Sequence, residues 1–92
     1  ISILEGEAEA TIGDDQYPVK RGDFIGYRAG GEPHQLTNTG DGILRCIVVG
    51  QRLAHDVGDY PLKQKRIYRH QGMQWNLVDL DNIAEPEAGK KV

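Results

Sequence analysis

The chain opens on a short apolar run, ISIL (1–4), closed by the turn residues of EGE. Alternation follows: in EAEATI, Ala8, Ala10 and Ile12 fall on one face, and Glu7, Glu9 and Thr11 on the other. A period of two marks a strand with one face buried. GDDQ then reads as a hairpin turn and RGD, after YPVK, as a second turn. DFIGY predicts a strand in which Gly26 marks a bulge or a close backbone approach. RAGGEP is an irregular loop, and HQLTN and ILRCIVVG are strands joined by TGDG. Beyond Gly50 the period loosens, so QRLAHDVGDYPLKQK predicts an extended surface excursion. RIYRH and WNLVD predict a last pair of short strands around QGM, LDNIAE a single helical turn, and PEAGKKV a frayed tail.

Short strands repeating about every 8 to 12 residues, with Gly and Asp between them, predict an all-β antiparallel sandwich or small barrel. Helical periodicity is nearly absent. With 92 residues and no internal repeat, residues 1–92 are expected to form a single domain, 51–92 being a tail packed on the barrel.

Composition sharpens this only in places. Glycine is frequent at 12 residues and aromatics are few at 7%, as suits many turns rather than a helical bundle. A net charge of −3 offers no general basic surface, which argues against a nucleic-acid partner. No apolar stretch approaches the ~20 residues of a membrane helix, and a cytoplasmic protein is expected. Cys46, the single cysteine, lies in an apolar run and reads as a buried strand thiol. The first residue is Ile1 and already reads as mid-strand, so an N-terminal segment is expected to be missing.

The chemistry centres on GGEPHQLTN (30–38). In an extended segment alternate side chains share a face, so His34, Leu36 and Asn38 point one way, and inward if Leu36 does. A buried imidazole needs a hydrogen-bond partner, a metal or a ligand. Two readings stand at this point: a structural histidine bonded to a backbone carbonyl, or a ligand in a working site.

The spacing Gly22, Ala29, Gly31, His34, Asn38 resembles the second conserved motif of the cupin superfamily, the jelly-roll fold. LEGEAEATIG resembles the close of the first cupin motif, with Gly6 as its terminal glycine, and VKRGDFIGYRAG is similar to the turn that leads to the site loop. The resemblance covers about residues 1 to 50. DVGDYPLKQKRIYR with WNLVD resembles the tail of a mostly uncharacterised bacterial cupin group, some of whose members carry a sugar-phosphate isomerase label. Two departures stand out: Ala29 replaces the motif proline, in a loop one residue longer. The His-x-His and glutamate of the first motif would lie upstream of Ile1.

The resemblance implies a small antiparallel cupin-type β-barrel or jelly roll, incomplete if its first strands are absent. It also implies His34 as a metal ligand, the remaining ligands lying upstream, for Fe, Mn, Ni, Cu or Zn. A metal-dependent enzyme acting on a small anionic or sugar-like molecule, an isomerase or an oxygenase, is the first expectation. A non-catalytic cupin that binds a small ligand is the alternative. Catalytic residues stay unassigned, and a homodimer is expected because cupins commonly dimerise.

Other candidates weigh less. Arg28 could meet an anionic substrate or pair with Glu32. Tyr27 and Arg45 could line the cavity, and Asn38 could contact substrate or pin the turn. KQKR (63–66) could hold a phosphate or be a solvated face. His55 and His70 read as surface histidines, Glu5 as solvent-facing, and Trp75 as a core anchor for the tail.

Overall fold

The computed structural model describes residues 1–86 and divides into two compact units, Ile1–Gln51 and Arg52–Val92. The all-β expectation holds: the strands form three separate antiparallel sheets, and among the described residues they do not close into a barrel.

Unit 1 contains β1 (Ser2–Glu5), β2 (Glu7–Ile12), β3 (Asp15–Lys20), β4 (His34–Asn38) and β5 (Arg45–Ile47). β1 pairs with β5, and β2 lies between β3 and β4. The alternation in β2 is realised as read: Ala8 and Ala10 are buried at 2% and 1% exposure, whereas Glu7 is exposed. Pro18 lies in β3, an edge strand, where a missing N–H costs no internal ladder bond. Gly13 and Asp14 make the two-residue link between β2 and β3. Gly13 has φ +59°, the positive value that a II′-type hairpin turn requires at its first central position.

DFIGY does not form the predicted strand. Only Phe24 bridges, to Ser2, while the backbone of Ile25 exchanges bonds with Ile1 in both directions at 2.7 and 2.8 Å. The segment therefore lies along β1 and turns away at Gly26, which frees residues 27–33 for a loop. The strand predicted over ILRCIVVG also shortens to Arg45–Ile47, with Cys46 half-buried rather than buried. The core is small: Ile3, Ala8, Ala10 and Ile25 are the buried apolar residues among those described.

Unit 2 corrects the predicted surface excursion. HDVGDY is a strand, β6 (His55–Tyr60), paired with β7 (Lys65–His70), which pairs in turn with β8 (Asn76–Asp79). Pro61–Lys63 and Leu80–Asn82 are short 3₁₀ turns, the second being the helical turn read in LDNIAE. As the central strand, β7 is half-buried along its whole length. Paired positions carry opposite charges: Arg66 reaches Asp59 at 2.6 and 3.4 Å, Arg69 pairs with Asp56, and Lys65 pairs with Asp79. Two members of the KQKR cluster are thus committed to neighbouring carboxylates. Trp75 is 54% exposed and is no core anchor; Arg69 lies over its ring, 5.4 Å from the centroid. The tail expectation falls largely on residues 87–92, outside the described residues.

Candidate functional site

The β2–β4 register places His34 opposite Ile12, Leu36 opposite Ala10 and Asn38 opposite Ala8. His34, Leu36 and Asn38 thus share the sheet face of the buried alanines. Leu36 is half-buried, and His34 and Asn38 are exposed on that face.

The loop 27–33 folds back onto this strand. The Tyr27 ring stacks on the His34 imidazole with centroids 3.6 Å apart and planes within 10°. His34 Nδ1 lies 3.3 Å from the carbonyl oxygen of Glu32. A carbonyl only accepts, so in the neutral imidazole this contact assigns the proton to Nδ1 and leaves Nε2 as the acceptor. Gly13 N–H donates to the Pro33 carbonyl at 2.8 Å and ties the loop to the hairpin. The Glu32 carboxylate occupies the space where a side chain at Gly13 would begin, only 1.9 Å from an ideal Cβ.

Tyr27 and Glu32 also line a cleft of about 530 Å³, together with Ile12, Gly26, Arg28 and Gly31. It is mixed in character: one guanidinium, one carboxylate, one phenol ring and the aliphatic side chain of Ile12. Arg28 is exposed at its rim, and no ion pair with Glu32 forms. The Tyr27 hydroxyl is buried and has no hydrogen-bond partner among the described residues. Burial holds its pKa above the ordinary 10.0, which keeps the phenol protonated. An orphaned hydroxyl beside a cleft is a group that a ligand or an ordered water would satisfy.

The other candidates are placed elsewhere. Both ends of the Asn38 amide serve the turn that follows β4: Nδ2 donates to the Gly42 carbonyl and Oδ1 accepts from Gly40 N–H, each at 3.0 Å. Arg45 pairs with exposed Glu5 at 3.5 Å and does not line the cleft. His55 and His70 face each other across β6 and β7, with ring centroids 5.8 Å apart in an edge-on arrangement. Sequence reading missed that pairing because β6 lacked a recognisable period.

As a metal centre the donor set does not fit. Among the described residues no three His, Cys, Asp or Glu side chains converge on one point. His34 brings one imidazole, whereas tight transition-metal sites use three or four donors.

The cupin domain family matches residues 1–50. The chain is similar to the crystal structure of the "Putative sugar phosphate isomerase" of Acidithiobacillus ferrooxidans ATCC 23270. The two superpose with a TM-score of 0.84 at 43% identity, over 94% of this chain. This chain spans 55% of that protein's length. No protein of curated function matches. The motif glycines, the loop and His34 all lie inside the matched region, and the chain belongs to the cupin superfamily.

Proposed function

We propose that unit 1 carries the ligand-recognition surface of a cupin that acts on a small anionic or sugar-like molecule, in the manner of a sugar-phosphate isomerase. The observation that carries this reading is the stacked Tyr27–His34 pair beside the Arg28 cleft. Arg28 supplies the cation for a phosphate or carboxylate. The exposed His34 imidazole, held by its stack on the Tyr27 ring, supplies a hydrogen-bonding group suited to sugar hydroxyls. The name borne by the Acidithiobacillus relative supports the same substrate class. Fold alone would not, since one fold hosts many activities.

A second reading, a non-catalytic ligand-binding cupin, is favoured by one observation: among the described residues His34 joins no group of three or more His, Cys, Asp or Glu side chains. The role assigned to His34 here is therefore hydrogen bonding, and no chemical step is routed through an ion.

Calorimetric titration of the full-length protein with aldose phosphates tests both readings, alongside elemental analysis. Binding weakened about tenfold by Arg28→Ala, the effect of losing one charge-assisted contact, supports the site. Turnover of the bound sugar, with near-stoichiometric metal lost in His34→Ala, selects the enzyme. Binding without turnover or metal selects the module, and binding indifferent to Arg28→Ala rejects the site. Light scattering on the same samples reads out the homodimer we propose with it.

A further inference from the structure

A second cleft, of about 350 Å³, is built wholly within residues 52–75. Its walls are the segment Arg52–Ala54 and the 70–75 turn between β7 and β8. Backbone bonds hold both walls: Gln71 N–H donates to the Ala54 carbonyl at 2.8 Å, and Met73 N–H to the His70 carbonyl at 3.3 Å. Gly72, with φ +75°, permits the tight turn between them. The lining brings two guanidiniums, an imidazole and exposed apolar groups together. Arg52, Arg69 and His70 stand beside Leu53, Met73 and Trp75, whose exposures are 53%, 68% and 54%.

The two arginines differ in a useful way. Arg69 is fixed, paired with Asp56 and lying over the Trp75 ring, so its guanidinium is held in place while part of its charge is offset. Arg52 has no ion-pair partner among the described residues, and its charge is uncompensated. An uncompensated guanidinium beside an imidazole selects an oxyanion. Large apolar side chains exposed around those polar groups select a molecule with a flat or apolar body. We propose that this cleft binds a small organic phosphate whose phosphate meets Arg52 and His70 and whose ring lies against Trp75 and Met73. The site is additional to the Tyr27–Arg28 cleft and does not depend on it.

Trp75 is the chain's single tryptophan, so its emission reports on this cleft alone. The test titrates the 92-residue chain with phenyl phosphate, with inorganic phosphate and phenol as the two halves of the probe. The expected result is a saturable change in Trp75 emission with phenyl phosphate. Binding should be about tenfold weaker for either half, and about tenfold weaker for phenyl phosphate in Arg52→Ala, one lost charge-assisted contact. Arg52 is exposed, so that variant keeps the fold; Arg28→Ala should leave the titration unchanged. Absence of saturation, equal binding of phenol or of inorganic phosphate, indifference to Arg52→Ala, or loss in Arg28→Ala would each overturn the assignment.

Discussion

The imidazole of His34 lies flat on the phenol ring of Tyr27, 3.6 Å from centroid to centroid and within 10° of parallel. The first residue of β4 is thereby fastened to the loop that precedes it by seven positions. Aromatic pairs contribute about 0.5–1.5 kcal/mol beyond their burial, and exposure of His34 puts this one toward the lower end. A double-mutant cycle with Tyr27→Leu and His34→Ala in urea unfolding should return a coupling of roughly 0.5 kcal/mol or more. Strict additivity would mean the stack contributes nothing to the loop.

Gly6 has φ +91°, and a side chain there would begin 2.6 Å from the backbone oxygen of Ile43. Backbone cannot swing aside as a side-chain tip can. Gly6→Ala should therefore cost roughly 2 kcal/mol or more, the sum of left-handed strain and a forced shift of the backbone at Ile43–Leu44 that leads into β5. Gly22→Ala is the control, with φ +93° but open space around it; it should cost about 1 kcal/mol, strain alone. Equal losses at the two positions in thermal unfolding would show that the Ile43 contact is unimportant.

The hydrogen bond from Arg66, opposed by desolvation and aided by the Arg66 charge, holds the Asp59 carboxyl below its ordinary 3.8. A carboxyl lowered in the folded state favours folding above its unfolded pKa. That contribution is lost as pH falls from about 3.8 through the folded value. The Asp59 side-chain carbon shift, followed by NMR, should titrate below 3.8 and return toward it in Arg66→Gln. A midpoint at or above 3.8 in the unsubstituted chain would contradict the pairing.

Tyr27 shifts the opposite way: burial raises its pKa above 10.0. Here the neutral form is favoured on folding, so the contribution is intact below pH 10.0 and is lost as pH rises through the folded value. Alkaline spectrophotometric titration should show a late phenolate step that Tyr27→Phe removes. If the difference between the two curves is centred at or below 10.0, the ring is not buried as described.

Much of unit 1 was readable because its signals are local. Period-two apolar positions mark β2, the turns at Gly6 and Gly13–Asp14 bracket it, and the Gly/Pro loop announces β4. The stretch DFIGY misled because Phe24 and Ile25 have strand propensity, yet the segment makes one bridge to β1 before Gly26 releases it. β6 escaped notice for the opposite reason. In HDVGDY neither face is steadily apolar, and what pairs it with β7 is cross-strand charge, which a single strand does not reveal. Of the candidate site, His34 was singled out by motif spacing and Arg28 by its place beside the loop. The Tyr27 stack and the commitment of Asn38 to its turn required the loop's path in space.

The charged pairs of unit 2 also carry information of another kind. Hydrophobic patterning specifies a sheet's alignment poorly when both faces meet solvent, and β6 and β8 are largely exposed. In the observed alignment Asp56 meets Arg69 and Asp59 meets Arg66. Sliding β6 by two positions sets Asp56 against Ile67 or Gln71, and Asp59 against Gln64 or Tyr68, leaving both carboxylates without a cation. Sliding by one keeps at most Asp59 against Lys65 and turns every side chain to the wrong side. Arginine and aspartate thus act as a two-letter address that rejects misaligned hairpins, a task usually left to a core. Such an address is erased by salt, so high ionic strength should blur this hairpin's alignment before it melts the sheet.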